Sequence, residues 1–408
     1  MEKGQLYCIR SGRVLTLLLS AFGFFGLWVG CFTVLLADLS RALNLSPGPL
    51  GVALFAGAGA SIAATAALGW TADWLGRKAF LMGVACFFGC GTAGLALANS
   101  FTTLTFVLMV VFAAAGLYNV GINAAAVDLE QLSGRRFMSF VHAAYSGGAV
   151  IGALGAGALL SAGIDYRFVY PSLLVPLVVL ILAFAATRLP RLGGAQGDAP
   201  ASSTAVAEGE VWAGGRWELY RSVPLLLVAA IAVFGLLAEG EMGDWSSIYL
   251  RSWLGLGALL GGSGVAVFYG AMAVGRLGSG WAAARLGNRR TLLGAGLSTA
   301  LGMTLALATT APLLVIVGFL VVGFALAAIV PVAFSVAGDL VPERAASAIS
   351  VVSSLGYGGL LVGPPLVGGL AELVGLRMAL GVIAVSGVCV LAFSLRIGEE
   401  NQEKSIPS

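Results

Sequence analysis

The chain has 408 residues and a formal net charge of +3 at pH 7, with 59% hydrophobic residues, 10% charged residues and a mean hydropathy of +0.98. Soluble proteins average about 25% charged residues, so this composition excludes a soluble catalytic domain and predicts an integral membrane protein. Basic residues in the connecting loops account for the small positive charge, which therefore predicts no nucleic-acid partner.

Long apolar runs recur along the whole chain. A bilayer core of about 30 Å requires about 20 apolar residues per helix, and Gly or Pro inside such runs is typical of packed membrane helices. In chain order, we predict helices over residues 14–37, 48–72, 79–98, 102–127, 138–161 and 168–187, then over 222–250, 259–284, 291–309, 312–338, 347–371 and 377–395. The predicted fold is all-α integral membrane, with twelve transmembrane helices in two pseudo-symmetric six-helix bundles.

The two predicted bundles cover residues 14–187 and 222–395. The central loop over 188–221, rich in Gly, Ala and Ser, is typical of a flexible connector, and residues 396–408 form a polar tail. Basic residues concentrate on the side of the helices that carries both termini and this loop, so the positive-inside rule predicts that all three are cytoplasmic. We expect a multi-pass protein of a cell membrane, namely a bacterial inner membrane.

A short polar loop between the second and third predicted helices carries the most specific motif of the chain. It contains Gly69, Asp73, Gly76, Arg77 and Lys78. Glycines at these positions permit a close helix approach and a tight turn, and the aspartate can cap a helix N-terminus.

A weaker copy of this loop follows 211 residues later, where Ala284 and Asn288 replace Asp73 and Arg77. The same offset relates the pairs Asp128/Asp339, Gly148/Gly359 and Gly152/Gly363. The chain is therefore interpreted as an internal duplication of one unit.

Two six-helix halves with this loop after the second helix resemble the major facilitator superfamily. The resemblance implies that the loop is a cytoplasmic latch, in which Asp73 and Arg77 bridge the halves and hold an outward-open state, with Asp128 as the natural partner of Arg77. The alternative is that these charges only fix topology and turns. The gating set is Gly69, Asp73, Gly76, Arg77, Lys78 and Asp128.

The eleventh predicted helix contains a Gly-x-x-x-Gly-Pro-Pro motif over 359–365, whereas its copy over 148–153 ends in Ala153. Small residues at this spacing predict backbone-to-backbone helix packing, and proline bends the helix that carries it. In the superfamily, a Gly-Pro motif in the fifth helix marks drug antiporters. Ala153 therefore argues against drug export.

Two short segments, 142–148 (His-Ala-Ala-Tyr-Ser-Gly-Gly) and 239–246 (Glu-Gly-Glu-Met-Gly-Asp-Trp-Ser), resemble the fucose-permease-like branch of the superfamily. The acids of that branch in the first and fourth helices are absent here. The first helix has none before Asp38, and the fourth carries Asn119 and Asn123. We expect a small polar, sugar-like cargo other than fucose itself.

Polar and aromatic side chains inside the predicted helices are the candidates for substrate contact, because a central intramembrane charge costs about 2.5–3.5 kcal/mol on insertion scales. In this fold they would face a central cavity between the halves, where such transporters bind their cargo. The candidate set is Trp28, Asn119, Asn123, His142, Tyr145, Tyr269, Arg276 and Tyr357.

Each candidate has a structural alternative. Asn119 and Asn123, spaced i,i+4, suit a substrate hydroxyl or amide, or an interhelical hydrogen bond. His142, the only histidine, suits substrate or proton contact, or packing, and the aromatic residues suit sugar rings or packing. Arg276 suits an anionic cargo such as a sugar acid, but we favour a structural pair with Asp339 or another acid at the same end of the helices.

Three acids in the seventh predicted helix, Glu239, Glu241 and Asp244, are the candidates for proton coupling. A carboxylate desolvated in an apolar helix holds its proton more tightly and can load and unload it as access alternates. Glu239 is the leading candidate, and its alternative is an outer-gate or helix-breaking role beside Gly240 and Gly243. On an unbroken helix Glu241 and Asp244 share a different face.

These features predict a secondary transporter that works by alternating access, with proton-coupled uptake of a small polar solute as the leading function. The alternatives are export of hydrophobic or amphiphilic compounds and, from another class, a membrane-embedded enzyme or sensor. The sequence contains no nucleotide-binding loop, nucleophile triad or metal motif, so we expect no enzyme activity, cofactor or metal. Expected partners are a small-molecule substrate, protons and the lipid bilayer, and the chain is expected to be monomeric.

Overall fold

The computed structural model describes residues 2–135, 137–187, 189 and 219–397, without the side chains of residues 2–11 and 139. Most of the predicted central loop and of the polar tail lies outside these residues. Within the described ranges every regular element is a helix, and there is no strand.

Twelve helical segments of this part of the chain are long and apolar enough to cross a membrane. The first six are α1 (Gly12–Ala42), α2 (Pro47–Leu68), α3 (Arg77–Leu97), α4 (Phe101–Ser133), α5 (Phe140–Ser161) and α6 (Tyr166–Ala186). The other six are α7 (Val223–Trp253), α8 (Ala258–Leu286), α9 (Asn288–Ala308), α10 (Pro312–Leu340), α11 (Pro342–Val374) and α12 (Leu376–Arg396). The all-α fold with twelve membrane helices is confirmed.

Helix α4 shows why some helices are longer than predicted. Ser100 and Thr103 form a capping box at its start, and Gly134 ends it in the left-handed conformation with φ 65°. Hydropathy marks only the apolar part of the helix, whereas the backbone continues to the glycine stop. Asp128, just beyond the predicted end at 127, is therefore a helical residue.

Two features of the second half depart from a plain helix. Helix α7 closes with a π-helical turn over Tyr249–Trp253, which the sequence pattern did not predict. Helix α11 stays helical through Pro364 and Pro365. Because proline has no N–H group, these residues leave two carbonyl groups one turn earlier, on Leu360 and Leu361, without their usual donor.

Glycines bring α1 against α5 and α7 against α11 at backbone distance. A Cβ atom added at Gly148 would lie 2.0 Å from the carbonyl oxygen of Gly23, and one added at Gly359 would lie 2.2 Å from that of Val233. Membrane helices lack a hydrophobic drive to associate, so close van der Waals packing of this kind holds them together. The packing predicted from the glycine spacing is confirmed in both halves.

The described residues form two compact units. The first contains α1 to α6 together with residues 257–266, and the second contains residues 219–256 and 267–397.

Candidate functional site

Arg77, the first residue of α3, pairs with two aspartates of the first unit. Its Nε donates to Asp128 Oδ2 at 2.9 Å, and its Nη1 donates to Asp73 Oδ1 at 2.5 Å. The Asp128 side chain is 8% exposed, that of Arg77 18% and that of Asp73 73%. One pair is thus shielded and the other lies open to solvent. Both contacts are inside the first unit, and a bridge between the halves stays a prediction.

The backbone conformation of this loop requires glycine at only one of its two glycine positions. Gly76 has φ 80° and ψ 145°, which a residue with a side chain rarely adopts, whereas Gly69 has a helical φ of −57°. Asp73 lies in the first turn of the short helix Thr71–Leu75, and no side-chain N-cap hydrogen bond occurs on that helix or on α3. The predicted capping role of Asp73 is wrong, because Arg77 takes up its carboxylate instead.

The second half repeats these contacts, with a neutral hydrogen bond in place of the Arg77–Asp128 ion pair. Asn288 Nδ2 donates to Asp339 Oδ2 at 3.4 Å, and Gly287 has φ 82°. Lys78 donates to the carbonyl oxygen of Ala185 near the end of α6. Arg289 likewise donates to carbonyl oxygens at the end of α12, on Ser394 at 3.4 Å and Leu395 at 3.2 Å. The internal repeat therefore extends to individual contacts, with an amide where the first half has a guanidinium.

A cavity of about 340 Å³ lies beside Ala284 and Asn288. It is lined by short side chains of α8, α9 and α10, namely Ser279, Gly280, Ala283, Ala284, Asn288, Pro331, Val332 and Ser335. Ala284 and Asn288 stand where the first copy has the longer Asp73 and Arg77. These two shorter side chains therefore line the cavity.

Glu239 of α7 and Arg276 of α8 form an ion pair inside two membrane spans. Arg276 Nη2 donates to Glu239 Oε1 at 3.0 Å, and the side chains are 35% and 24% exposed for Arg276 and Glu239. The favoured pairing of Arg276 with Asp339 is wrong, since Asp339 accepts from Asn288. The pair also means that Glu239 is neither fully desolvated nor alone.

Glu241, and not Glu239, is the carboxylate that lies desolvated in an apolar helix. It is 0% exposed, and neither carboxylate oxygen has a hydrogen-bond partner among the described residues. Trp245, one turn further on, approaches the carboxylate without reaching hydrogen-bond geometry. Asp244 lies on the same unbroken helix and is half-buried. The difference arises because position 239 points towards Arg276, whereas position 241 points towards α11.

The predicted polar candidates of the first half lie on α4 and α5. Asn123 Nδ2 donates to Asn119 at both its backbone oxygen and Oδ1, each at 2.8 Å. These contacts lie within α4, and among the described residues neither side chain forms the interhelical bond that was its alternative. On α5, His142 is exposed with its ring 5.4 Å from that of Phe22, and Tyr145 lies 5.5 Å from Phe25.

The aromatic candidates differ in their exposure. Trp28 is 3% exposed, donates from Nε1 to Thr92 Oγ1 at 2.9 Å and stacks on Phe32, which makes it a packing residue. Tyr269 is 9% exposed, and its hydroxyl lies against Gly243 of α7. Tyr357 is 38% exposed on α11, and the charge of Glu239 reaches it. Of these three side chains, that of Tyr357 is the most exposed.

Sequence reasoning missed two partners of these residues. Thr92, buried in an apolar helix, carries the only acceptor found for the Trp28 indole among the described residues. Gly363 lies directly against the carboxylate of Glu241. A lone polar residue in an apolar run would have signalled Thr92, but no sequence pattern connects position 363 with position 241.

Metal binding finds no support in this part of the protein. No group of three or more His, Cys, Asp or Glu side chains could hold an ion within the described residues.

Comparison with known proteins identifies the class. A family model described as Major Facilitator Superfamily matches residues 15–285 and 248–408. The chain therefore belongs to the major facilitator superfamily. It is a multi-pass membrane transporter of this type and not an enzyme.

Relatives and solved structures agree with this assignment. An uncharacterised transporter of this type from Yersinia pestis is 31% identical over 91% of this chain and 92% of its own length, and membrane protein MosC of Rhizobium meliloti is 27% identical over 94% and 90%. Nucleoside transporter NupG matches with a TM-score of 0.74 and 16% identity over 93% of this chain and 98% of its own. A bacterial homologue of the human lysosomal transporter Spinster matches with a TM-score of 0.74 and 16% identity over 98% and 99%. These structures show the fold.

Proposed function

We propose that the protein is a proton-coupled secondary transporter that moves a small polar, sugar-like solute by alternating access. The observation that carries this proposal is the Glu239–Arg276 ion pair, partly exposed within two membrane spans. Charged groups in a membrane span are costly and mark solute or ion pathways when they face a polar space. A carboxylate that accepts and a guanidinium that donates together suit a solute with several hydroxyl groups.

Tyr357 and the two asparagines support a polar cargo. Tyr357 lies exposed near Glu239 and presents a hydroxyl and a ring face. The side-chain atoms Asn119 Nδ2 and Asn123 Oδ1 make no hydrogen bond within the described residues, so they stay available to a solute. The two segments that resemble the fucose-permease-like branch point to the same class of cargo.

Gating by the Arg77 loop belongs to the same proposal. The Arg77–Asp128 pair fixes the start of α3 against α4, while the exposed Asp73 can exchange partners at low cost. The location in a bacterial inner membrane, with cytoplasmic termini, follows from the distribution of basic residues and is part of this proposal.

The test is solute accumulation in proteoliposomes under an imposed pH gradient. The panel contains a monosaccharide, a sugar acid, a nucleoside and a lipophilic cation. We expect gradient-driven accumulation of a polar member, reduced at least about tenfold in Arg276→Ala, because removing one partner strands a membrane charge at a cost of about 1.4 kcal/mol or more. Glu343→Gln, which neutralises an exposed acid of the same half, is the matched control and should leave accumulation unchanged.

The opposite results would replace the proposal. Expulsion of the lipophilic cation, with the polar solutes ignored, would make the protein an exporter of amphiphilic compounds. Accumulation of a polar solute that is equal in Arg276→Ala and in the wild-type protein would remove the ion pair from the site.

A further inference from the structure

The Glu241 side chain stands out because it is fully buried and has no cationic partner. Both carboxylate oxygens lack a hydrogen bond within the described residues, and the side chain is 0% exposed. An ionised carboxylate in such surroundings costs several kcal/mol, which proteins avoid by keeping the group neutral. The geometry therefore favours the protonated acid.

The charges around Glu241 reinforce the neutral form. Asp244, a second acid on α7, makes the Glu241 anion still less favourable, while the Trp245 indole, which would favour the anion, does not reach hydrogen-bond geometry. Arg276 of α8 is engaged by Glu239, and Tyr357 of α11 also lies near Glu239. The remaining charged side chains of the packed helices lie in end turns: Asp339 on α10, Glu343, Arg344 and Glu372 on α11, and Arg377 and Arg396 on α12.

The Glu241 carboxyl group packs against α11 at a glycine that is followed by two prolines. A Cβ atom added at Gly363 would lie 2.1 Å from Glu241 Oε1, so only a glycine leaves room for it. The next two residues are Pro364 and Pro365, which leave carbonyl groups of the preceding turn without their usual donor. The same stretch of α11 is held against α7, where a Cβ atom added at Gly240 would lie 2.7 Å from the Leu360 side chain.

We propose that Glu241 is the acid that carries the coupled proton and that it acts through α11. In the neutral form the carboxyl group packs against Gly363. Loss of the proton to water places an unpaired anion against the α11 backbone and loosens α7 from α11 at the two prolines, where a helix is already weakened. This inference rests on the proposed proton coupling and deepens it by naming the residue and the helix that responds.

Hydrogen exchange on the full-length protein in lipid nanodiscs tests the response without any solute. At each pH, exchange of the peptide over residues 355–370 is compared between the wild-type protein and Glu241→Gln, so that intrinsic rates cancel. We expect equal protection at low pH, and at high pH at least about a threefold faster exchange in the wild-type peptide, while Glu241→Gln keeps its protection. Equal exchange in both proteins at every pH would overturn the inference.

Infrared spectroscopy tests the proton itself. The carbonyl stretching band of a protonated carboxyl group should be present in the wild-type protein at neutral pH and absent from Glu241→Gln. Gly363→Ala should displace the acid and shift this band, whereas Gly358→Ala, on the same helix with open space at its added methyl group, should not. A band unchanged in Glu241→Gln would refute the assignment.

A second pair of variants covers the case in which Gly363→Ala does not fold. In a Glu241→Ala background the Gly363→Ala methyl group has room, so thermal stability in detergent should recover towards that of Glu241→Ala alone. A loss that is equally large in both backgrounds would contradict the contact. These experiments need no transport, so they can fail while gradient-driven accumulation is observed, and the reverse also holds.

Discussion

Neutralising Asp128 should destabilise the protein far more than neutralising Asp73, although both contact Arg77. Asp128 is 8% exposed and Asp73 is 73% exposed. Removing one partner of a buried ion pair costs about 3–5 kcal/mol, whereas an exposed pair contributes about 0–1 kcal/mol. Because the Arg77 side chain keeps 18% exposure, we expect about 2–3 kcal/mol for Asp128→Asn and less than about 1 kcal/mol for Asp73→Asn.

Thermal unfolding in detergent, followed by loss of the monodisperse species, measures this difference. Asp339→Asn is the matched control in the other half, where the partner is the neutral amide of Asn288 at 3.4 Å, and it should resemble Asp73→Asn. Transport gives the second readout, since Asp73→Asn should slow solute movement while insertion into the membrane stays normal. Equal destabilisation by Asp128→Asn and Asp73→Asn would refute the reasoning from burial.

Three further substitutions test a close packing contact, a backbone conformation and a buried hydrogen bond. Gly148→Ala should lower thermal stability, because the added Cβ would lie 2.0 Å from a carbonyl oxygen of α1, whereas Gly147→Ala, with open space, should not. Gly76→Ala should cost about 1–2 kcal/mol of unfolding free energy through its φ of 80°, measured in the same unfolding assay. Trp28→Phe should leave the Thr92 hydroxyl without the indole donor and cost about 1 kcal/mol, while saturating solute accumulation is unchanged.

Helix number and repeat could be predicted from the sequence because they depend on composition and spacing. The length of the apolar runs predicts the twelve helices. The offset of 211 residues relates the pair Arg77/Asp128 to the pair Asn288/Asp339, and in the structure the two side chains of each pair are hydrogen-bonded to each other. Glycine spacing likewise predicted a close helix packing at Gly148, although not that its partner is α1. Each of these features depends either on many residues together or on the spacing of residues close in sequence.

The partners of individual polar side chains could not be predicted. Glu239 and Glu241 are two residues apart in equally apolar sequence, yet one meets Arg276 and the other meets Gly363. The outcome depends on which neighbouring helix each side chain faces, and helical periodicity gives directions without naming the neighbours. For the same reason the sequence left Trp28 open between cargo contact and packing, and only the structure shows that its indole turns towards Thr92.

Proton coupling is measured by recording solute and proton movement at the same time. Proteoliposomes that contain a pH-sensitive dye and a weakly buffered lumen would receive each solute of the panel without an imposed gradient. We expect that inward movement of one polar solute is accompanied by acidification of the lumen, and that this acidification is abolished in Glu241→Gln. Movement of that solute with no change in luminal pH would contradict proton coupling.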